Sequence, residues 1–473
     1  MPQYIEWIDF ENKELKVINN ENIISVTISN NDDFNITVSF LCKIPEGIKI
    51  LASPEIFYHA IFDGTNEIEA IDQKLIIEKY KIIGFIINSV SSRGDEYLKY
   101  SGFASKIYKY YDTPSIGIEQ FSIYWFLNSS EELAYTDALS ISGYETAEYK
   151  WGDFATDKYQ FSAPESYSRA IIKLKYKDHS FIFGKVNNKH YKKASFIRTS
   201  IKDSIKEEEL FEIIQLLTFI LGVELLHIGT TSYNINSSPI SEVFISTMQN
   251  GIDKILNQSQ LPPLPIRISD MYRFGINPQI IINDFFEKYI NKKESYSLER
   301  VLWFLIYSRS QHPLTKIQSL STAFDLLCNC FFRGKANIVV DKKIFNEALT
   351  EINKILDRYI KDERIRKYLK NRAVNINNNS INQRNKNIFQ ELGMELSSLE
   401  SAAIRSRNTS VHGSLGNIDY IKIIKEANAY TVLLNRLLLK LIGLEFYVDY
   451  SVQGHLINNV SNPQLGEYNV FKN

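Results

Sequence analysis

Residues 387–444 read NIFQELGMELSSLESAAIRSRNTSVHGSLGNIDYIKIIKEANAYTVLLNRLLLKLIGL, and they decide the class of the second half of the chain. In 418–444, apolar residues recur at three- and four-residue spacing, which is typical of a helix that buries one face. Residues 387–412 have the same periodicity, with an interruption expected at Gly393. Gly413 fits a helix C-terminal cap. The stretch therefore predicts two helices of a bundle.

Four earlier segments share this helical periodicity and extend the predicted bundle. They are 278–291, 297–311, 314–332 and 341–372. The last of these is long enough to contain one break. The Asn-rich stretch 373–387 has the composition of a loop, so we expect an irregular connection there.

The first 200 residues have a different pattern, rich in β-branched and aromatic residues and interrupted by turn clusters. The clearest predicted strands are 23–29, 34–41, 81–88 and 121–127, and a predicted hairpin joins 170–176 to 180–186. A helix at 207–223 and strand-like pieces at 224–246 follow. Short strands at regular spacing predict a sandwich-like or curved sheet.

A proline-rich stretch, LPPLPIRI at 261–268, separates the two patterns and is typical of a domain edge. The sequence thus predicts an α+β fold in three parts. They are a β-rich, sandwich-like N-terminal domain at 1–260, an all-α helical bundle at 268–448 and a C-terminal tail at 449–473.

Composition restricts the classes of function. The 473 residues carry 54 Lys and Arg against 55 Asp and Glu, a formal net charge of −1. This balance argues against a general nucleic-acid coat protein but not against a local basic cleft. The three cysteines lack zinc-ligand spacing, so no metal or other cofactor is expected. No signal-peptide pattern and no apolar stretch of membrane-spanning length occurs, so we expect a cytoplasmic protein that does not bind membranes.

The segment most suited to chemistry is Arg407-Asn408-Thr409-Ser410-Val411-His412. Histidine titrates near neutral pH and serves as a general acid or base, while arginine stays charged and grips phosphate. Asn408 and His412 are four residues apart on one helix face, so Asn408 is a candidate to orient the imidazole. Arg407 is about 140° round a helix from His412. A second copy related by a two-fold axis is compatible with bringing both residue types into one cleft.

This segment resembles the Arg-x(4–6)-His motif of the HEPN superfamily of nucleases, in which Asn often follows the Arg. With the strand-rich first half and the run 307–327, the chain resembles the ApeA-like abortive-infection proteins. The resemblance implies a metal-independent, toxin-like endoribonuclease that leaves 2′,3′-cyclic phosphate ends and acts in antiphage defence. It implies host or phage RNA, with tRNA as one candidate, as substrate. It also implies a homodimer through the HEPN domain and an N-terminal sensing or regulatory domain, which either recognises a phage-derived trigger or restrains the nuclease. Arg407, Asn408 and His412 are the catalytic candidates.

Other residues are candidates for supporting roles. Arg405 lies on the same helix stripe as Asn408 and His412, so helix geometry favours it as the partner cation, whereas the family pattern favours Arg407. We assign Arg405 to RNA contact or to an ion pair.

Asp325 either positions an active-site arginine or forms a structural ion pair. The basic run 358–372 supplies four further RNA-binding candidates, which are Arg364, Arg366, Lys367 and Lys370. The alternative for this run is a solvated helix face. Tyr307, Arg309 and His312 end another helix and are candidates to face the cleft.

A second interpretation of the motif involves no catalysis. Arg-x4-His arises by chance in chains of this size, and a histidine before a glycine also suits a helix C-terminus. The bundle would then be a nucleotide- or protein-binding regulatory module. Burial of Arg407 and His412 away from any cleft would favour that interpretation.

Overall fold

A computed structural model describes residues 13–30, 35–43, 67–72, 78–92, 97–111, 119–127, 137–142, 147–151, 156–159, 166–185, 194–203, 205–246, 278–333, 340–377, 381–411, 420–449 and 456–461. The chain divides into two compact units. The first comprises residues 1–262 and 266–287, and the second comprises residues 263–265 and 288–473. Strands dominate the first unit and helices the second, so the fold is α+β, as predicted.

The strands of the first unit form one antiparallel sheet in the described part of the chain. They are β1 Lys13–Val17, β2 Ile23–Asn30, β3 Ile36–Lys43, β4 Glu67–Ile71, β5 Glu78–Ile83, β6 Ile86–Ser92, β7 Tyr97–Ala104, β8 Lys106–Tyr111, β9 Glu119–Leu127, β10 Asp137–Ser142, β11 Ala147–Trp151, β12 Thr156–Tyr159, β13 Ser166–Tyr176, β14 His179–Lys185, β15 Ala194–Ser200, β16 Leu226–Asn234 and β17 Pro239–Ile245. Helix α1, Glu207–Leu221, lies between β15 and β16 in the chain.

The pairings of the first eight strands close into a small barrel. Strand β1 pairs with β2 and β4, β2 pairs with β3, and β3 pairs with β7. Strand β4 pairs with β5, which pairs with β8, while β6 pairs with β7. Because β5 continues into β6 through Gly84, whose φ is 63°, one bent stretch completes the ring. Alternate residues point inward and form a continuous apolar core that includes Val26, Val38, Phe40 and Tyr100.

The sheet continues from the barrel through the pairing of β8 with β17. From β17 the order is β16, β9, β15, β14, β13, β10, β11 and β12. Helix α2, Pro278–Tyr296, begins beside β13. The side chains of Gln279 and Asn283 accept hydrogen bonds from the backbone N–H groups of Lys173 and Lys175, at 3.0 and 2.9 Å. These side chains thus provide acceptors for β13 beyond the end of its pairing with β10.

The second unit contains the remaining helices and a short hairpin. They are α3 Leu298–Ser308, α4 Pro313–Phe331, α5 Lys342–Tyr359, α6 Glu363–Val374, α7 Ile381–Glu391, α8 Ser398–Val411, α9 Tyr420–Ile442, β18 Phe446–Asp449 and β19 Leu456–Asn459. Helix α4 is central, since it packs against α3, α7, α8 and α9. Phe324 of α4 stacks on Phe389 of α7, with ring centroids 5.6 Å apart, and meets Tyr430 of α9 edge-on at 6.2 Å.

Several local predictions are confirmed and one is wrong. The break predicted in 341–372 separates α5 from α6, and the interruption at Gly393 falls between α7 and α8, where the glycine has φ 61°. The Asn-rich stretch 373–387 is not an irregular loop throughout, because α7 begins at Ile381. The proline-rich stretch 261–268 lies outside the described residues. Within the described part, no helix is both long and apolar enough to cross a membrane.

Candidate functional site

The predicted catalytic motif starts in the last turns of α8. Arg407 and Asn408 belong to this helix, which ends at Val411, and they are described here as helical backbone only. His412 lies outside the described residues. The structure therefore gives the position of the Arg-Asn part of the motif along the bundle.

The beginning of α8 is fixed by reciprocal capping. The Oγ of Ser397 accepts a hydrogen bond from the N–H of Glu400 at 3.1 Å, and the Glu400 carboxylate accepts one from the N–H of Ser397 at 2.8 Å. This is the capping-box arrangement, in which two otherwise unpaired N–H groups of the first turn are satisfied. The sequence Ser-x-x-Glu thus fixes where α8 begins.

A buried arginine of α9 ties this helix start to the rest of the unit. Arg436 is fully buried, and Nη1 lies 2.6 and 2.8 Å from the two carboxylate oxygens of Glu400. Its Nε donates to the carbonyl of Val460 at 2.6 Å, its Nη2 donates to the carbonyl of Glu395, and its guanidinium lies over the ring of Tyr447. A buried guanidinium is tolerated only when its donors are satisfied, so this network holds α8, α9 and the hairpin in one arrangement.

The Glu400–Arg436 contact sets the level of the motif within the bundle. Glu400 is near the start of α8 and Arg436 is near the end of α9, so the two packed helices run antiparallel. Arg407 is seven residues beyond Glu400, about 10 Å along α8, and Tyr430 is six residues before Arg436, about 9 Å along α9. The Tyr430 ring meets Phe324. The backbone of Arg407 therefore lies level with the middle of α4.

The end of α8 lies level with the beginning of α4. The rings of His312 and Tyr420 are 6.1 Å apart, so α4 and α9 run in the same direction. Val411 is about 6 Å beyond Arg407 along α8. Helix α8 is antiparallel to α4, so this distance brings Val411 to about the level of Ser319, in the first two turns of α4. The end of α8 thus lies about one helical turn from the level of Lys316, while Arg407 lies further along α4.

The beginning of α4 is strongly cationic. His312 caps the helix by accepting a hydrogen bond from the N–H of Leu314 at its Nδ1, and no acidic residue occupies the first turn. Lys316 is only 7% exposed, and its burial, together with the nearby Arg309, lowers the pKa of its ammonium group to about 8. No described carboxylate lies within 4 Å of Lys316. The positive end of the helix dipole adds to this charge.

The other predicted site residues are distributed along the second unit. Arg405 is exposed on α8, and Asp325 is half-buried on α4, next in sequence to Phe324. The Arg407 backbone lies level with Phe324, so Asp325 is at nearly the same level along the bundle. This position is compatible both with positioning an active-site arginine and with a structural ion pair. Tyr307 and His312 are exposed.

The basic run is divided between ion pairs and exposed cations. Arg366 and Lys370 of α6 lie 3.5 and 2.6 Å from the carboxylate of Asp357 on α5, and so they stabilise the α5–α6 turn. Arg364 and Lys367 are exposed. The structure therefore gives two of these four RNA-binding candidates a structural partner.

Sequence reasoning missed two residues that define this region. Arg436 stands within the apolar run VLLNRLLLK, and a lone charged residue inside such a run is the signal of a buried ion pair. Lys316 carries no such signal, because its burial depends on the packing of other helices against α4. No described residues form a cluster of three His, Cys, Asp or Glu suited to a metal ion.

Comparison with known proteins adds no family assignment. No protein family model matches the chain, and neither a curated protein nor a solved structure matches it.

Proposed function

We propose that the protein is a metal-independent endoribonuclease of the HEPN type. In this proposal His412 exchanges protons with RNA, Arg407 stabilises charge on the phosphate, and Asn408 orients His412. The observation that supports it most directly is the level of the motif. The last turns of α8 run alongside the first half of α4, so that the Arg407 backbone is level with Phe324 and Val411 lies about one helical turn from the level of Lys316.

The proposed reaction is transesterification within the RNA strand. His412 accepts the proton of the ribose 2′-OH, the 2′-oxygen forms a bond to phosphorus, and the bond from phosphorus to the 5′-oxygen breaks. The 5′-oxygen leaves with a proton from an imidazolium, and the product carries a 2′,3′-cyclic phosphate. Arg407 binds the phosphorane oxygens, on which negative charge accumulates in the transition state.

The surface of α5 and α6 supports the proposed homodimer. Helix α5 has no buried residue, and Ile344, Ile355 and Tyr359 are 60%, 57% and 71% exposed. Ile365 and Tyr368 of α6 are also more than half exposed. Amphipathic helices that leave their apolar residues in water favour association, and a second copy of the chain offers a matching face.

The first unit offers a surface for the proposed sensing role. A polar groove of about 290 Å³ lies on the outer face of β2, β3, β6 and β7. Cross-strand hydroxyl pairs line it: Ser29 with Thr37 at 2.5 Å and Ser39 with Ser101 at 3.1 Å. Hydroxyls on a fixed sheet provide donors and acceptors at set spacing, which suits a polar trigger. The proposed biological context is antiphage defence by abortive infection.

The test is RNA cleavage by the full chain. We expect His412→Ala and Arg407→Ala to lower the cleavage rate about 10²- to 10⁴-fold. Arg405→Ala, two residues away on the same helix, is expected to weaken substrate binding and leave the maximal rate within about tenfold. Lys422→Ala, on the exposed face of α9, is the matched surface control. EDTA should leave the rate unchanged, and end analysis should find 2′,3′-cyclic phosphate.

The outcome separates catalysis from binding alone. Unchanged cleavage in both His412→Ala and Arg407→Ala refutes the proposed site. Absence of any cleavage by the parent, with retained RNA or nucleotide binding, instead favours the non-catalytic module.

A further inference from the structure

An aromatic pair lies on the outer surface of α3. Trp303 and Tyr307 are one helical turn apart and are 47% and 46% exposed. Their rings are nearly parallel, with an interplanar angle of 11° and centroids 5.0 Å apart. The opposite face of α3 is fully buried, so the helix does not need this pair for its core. Two large stacked rings left in water are typical of a binding surface.

The cationic start of α4 follows this pair directly in the chain. Tyr307 is in the last turn of α3, Arg309 caps that helix by donating its N–H to the carbonyl of Ile306, and His312 caps α4. The two helices also pack against each other. Tyr307 and Lys316 are therefore at neighbouring ends of one helical hairpin, with Trp303 one turn before Tyr307.

Lys316 is the residue at this end that most favours binding of an anion. Its side chain is more than nine-tenths buried, it faces the positive charge of Arg309, and it sits in the first turn of a helix. No described acidic side chain is close enough to pair with it. Burial, a like charge and the helix dipole all oppose the ammonium charge, and a bound phosphate relieves all three.

We propose that Trp303 and Tyr307 form a stacking platform for an unpaired RNA base, and that Lys316 and Arg309 bind the phosphate next to that base. This inference rests on the proposed ribonuclease function and names how its substrate is held. Single-stranded RNA combines a flat apolar base with an anionic backbone, which is the combination that this surface complements. A second copy of the chain suits this surface less well than RNA. A two-fold axis here would bring the Arg309 and Lys316 of that copy close to the same two residues, and the like charges would repel.

The experiment uses the full chain carrying His412→Ala, so that the RNA stays intact. The probe is a fluorescent single-stranded oligonucleotide of about ten nucleotides, with the matched duplex for comparison. We expect Trp303→Ala and Tyr307→Ala each to weaken single-strand binding roughly 5- to 150-fold. Trp303→Phe, which keeps an aromatic ring, should retain most of the binding that Trp303→Ala loses. Tyr110→Ala removes an aromatic of β8 that is similarly exposed, at 43%, and should have no effect.

Two further readouts test the geometry. The single strand should quench the fluorescence component that Trp303→Phe removes. Lys316→Met keeps the length of the side chain, and it should reduce the slope of log binding constant against log salt concentration by about one. A folded Lys316→Met protein with the parent's salt slope overturns the phosphate assignment.

The outcomes distinguish this inference from the nuclease proposal. Equal RNA affinity in Trp303→Ala and parent overturns the platform, even if cleavage depends on His412. Selective loss of RNA binding in Trp303→Ala supports the platform, even if the parent cleaves nothing. A change in dimer sedimentation without a change in RNA affinity overturns it in favour of a subunit interface.

Discussion

Replacing Arg436 tests whether the buried network of the second unit holds α8 in place. The change is Arg436→Met, which keeps much of the volume and removes the charge. The Glu400 carboxylate then stays buried without its partner, and the carbonyls of Val460 and Glu395 lose their donor. Breaking one side of a buried pair costs about 3–5 kcal/mol of unfolding free energy. We expect a loss in that range.

The second change, Glu400→Gln, separates the two roles of that residue. The amide keeps an oxygen for the N–H of Ser397, so the capping box survives. In the double variant no uncompensated carboxylate remains, while the two carbonyls still lack a donor. We therefore expect the double variant to be more stable than Arg436→Met alone. The coupling energy between the two positions should exceed about 1 kcal/mol.

The measurement is urea unfolding followed by far-UV circular dichroism, because most of the described helix belongs to the second unit. The matched control is Lys422→Met in the same helix. Lys422 lies 4.0 Å from Glu426 but is 67% exposed, so the expected loss is below about 1 kcal/mol. A loss below about 1 kcal/mol for Arg436→Met, or additive effects in the cycle, contradicts the proposed role of the network.

Two further predictions concern the first unit, with tryptophan fluorescence in a Trp303→Phe background as the probe, because Trp7, Trp125 and Trp151 all belong to that unit. Burial lowers the pKa of His227 from 6.5 to about 4, so as pH falls from 6.5 to 4 the unfolded chain takes up a proton that the folded chain does not. The unfolding free energy should drop by at most about 3 kcal/mol across that window. His227→Asn should flatten the pH dependence of the urea midpoint. The same dependence of the midpoint on pH in the variant and the parent would contradict the role of His227. At Gly102, a Cβ would lie 1.9 Å from the carbonyl oxygen of Ile86. We expect Gly102→Ala to cost about 3 kcal/mol or more, against about 1 kcal/mol for Ser101→Ala beside it, and equal urea midpoints for the two variants would show that β6 yields easily.

Periodicity predicted the elements whose pattern is local. The hairpin of β13 and β14 follows from alternating residues around a short turn, in which Lys177 has φ 54°. The stretch 81–88 has the pattern of one strand, yet Gly84 divides it into β5 and β6. The local pattern does not show that the barrel requires this bend. The requirement comes from the pairing of β5 with β4 and of β6 with β7.

The Asn-rich stretch shows how tertiary contacts override composition. Its low complexity indicated a loop, but α7 begins within it at Ile381. Ile388 and Phe389 are fully or almost fully buried, and Phe389 stacks on Phe324 of α4. Anchors at the end of a segment stabilise the helical turn that precedes them, and a propensity-based prediction does not include that contribution.

The candidate site was predictable as a motif but not as a surface. The spacing of Arg407 and His412 is visible in the sequence. The level of the Arg407 backbone along the bundle, near that of Asp325, follows only from the Glu400–Arg436 contact. Of the stacked rings on α3, Tyr307 was a candidate to face the cleft, but Trp303 was not distinguished, because a large apolar side chain in an apolar helix is expected to pack in a core.

The lowered pKa of Lys316 connects stability with the proposed activity. A lysine whose folded pKa falls from 10.5 to about 8 binds its proton more tightly when unfolded, so it destabilises the fold at neutral pH, by about 3 kcal/mol. Replacement by an uncharged residue would remove this cost, and a bound phosphate would also offset it by favouring the charged form. Residues that reduce stability and gain a partner only on binding are typical of functional sites. The start of α4 is therefore where RNA should stabilise the protein most, and Lys316→Met should abolish most of that stabilisation while raising the stability of the free protein.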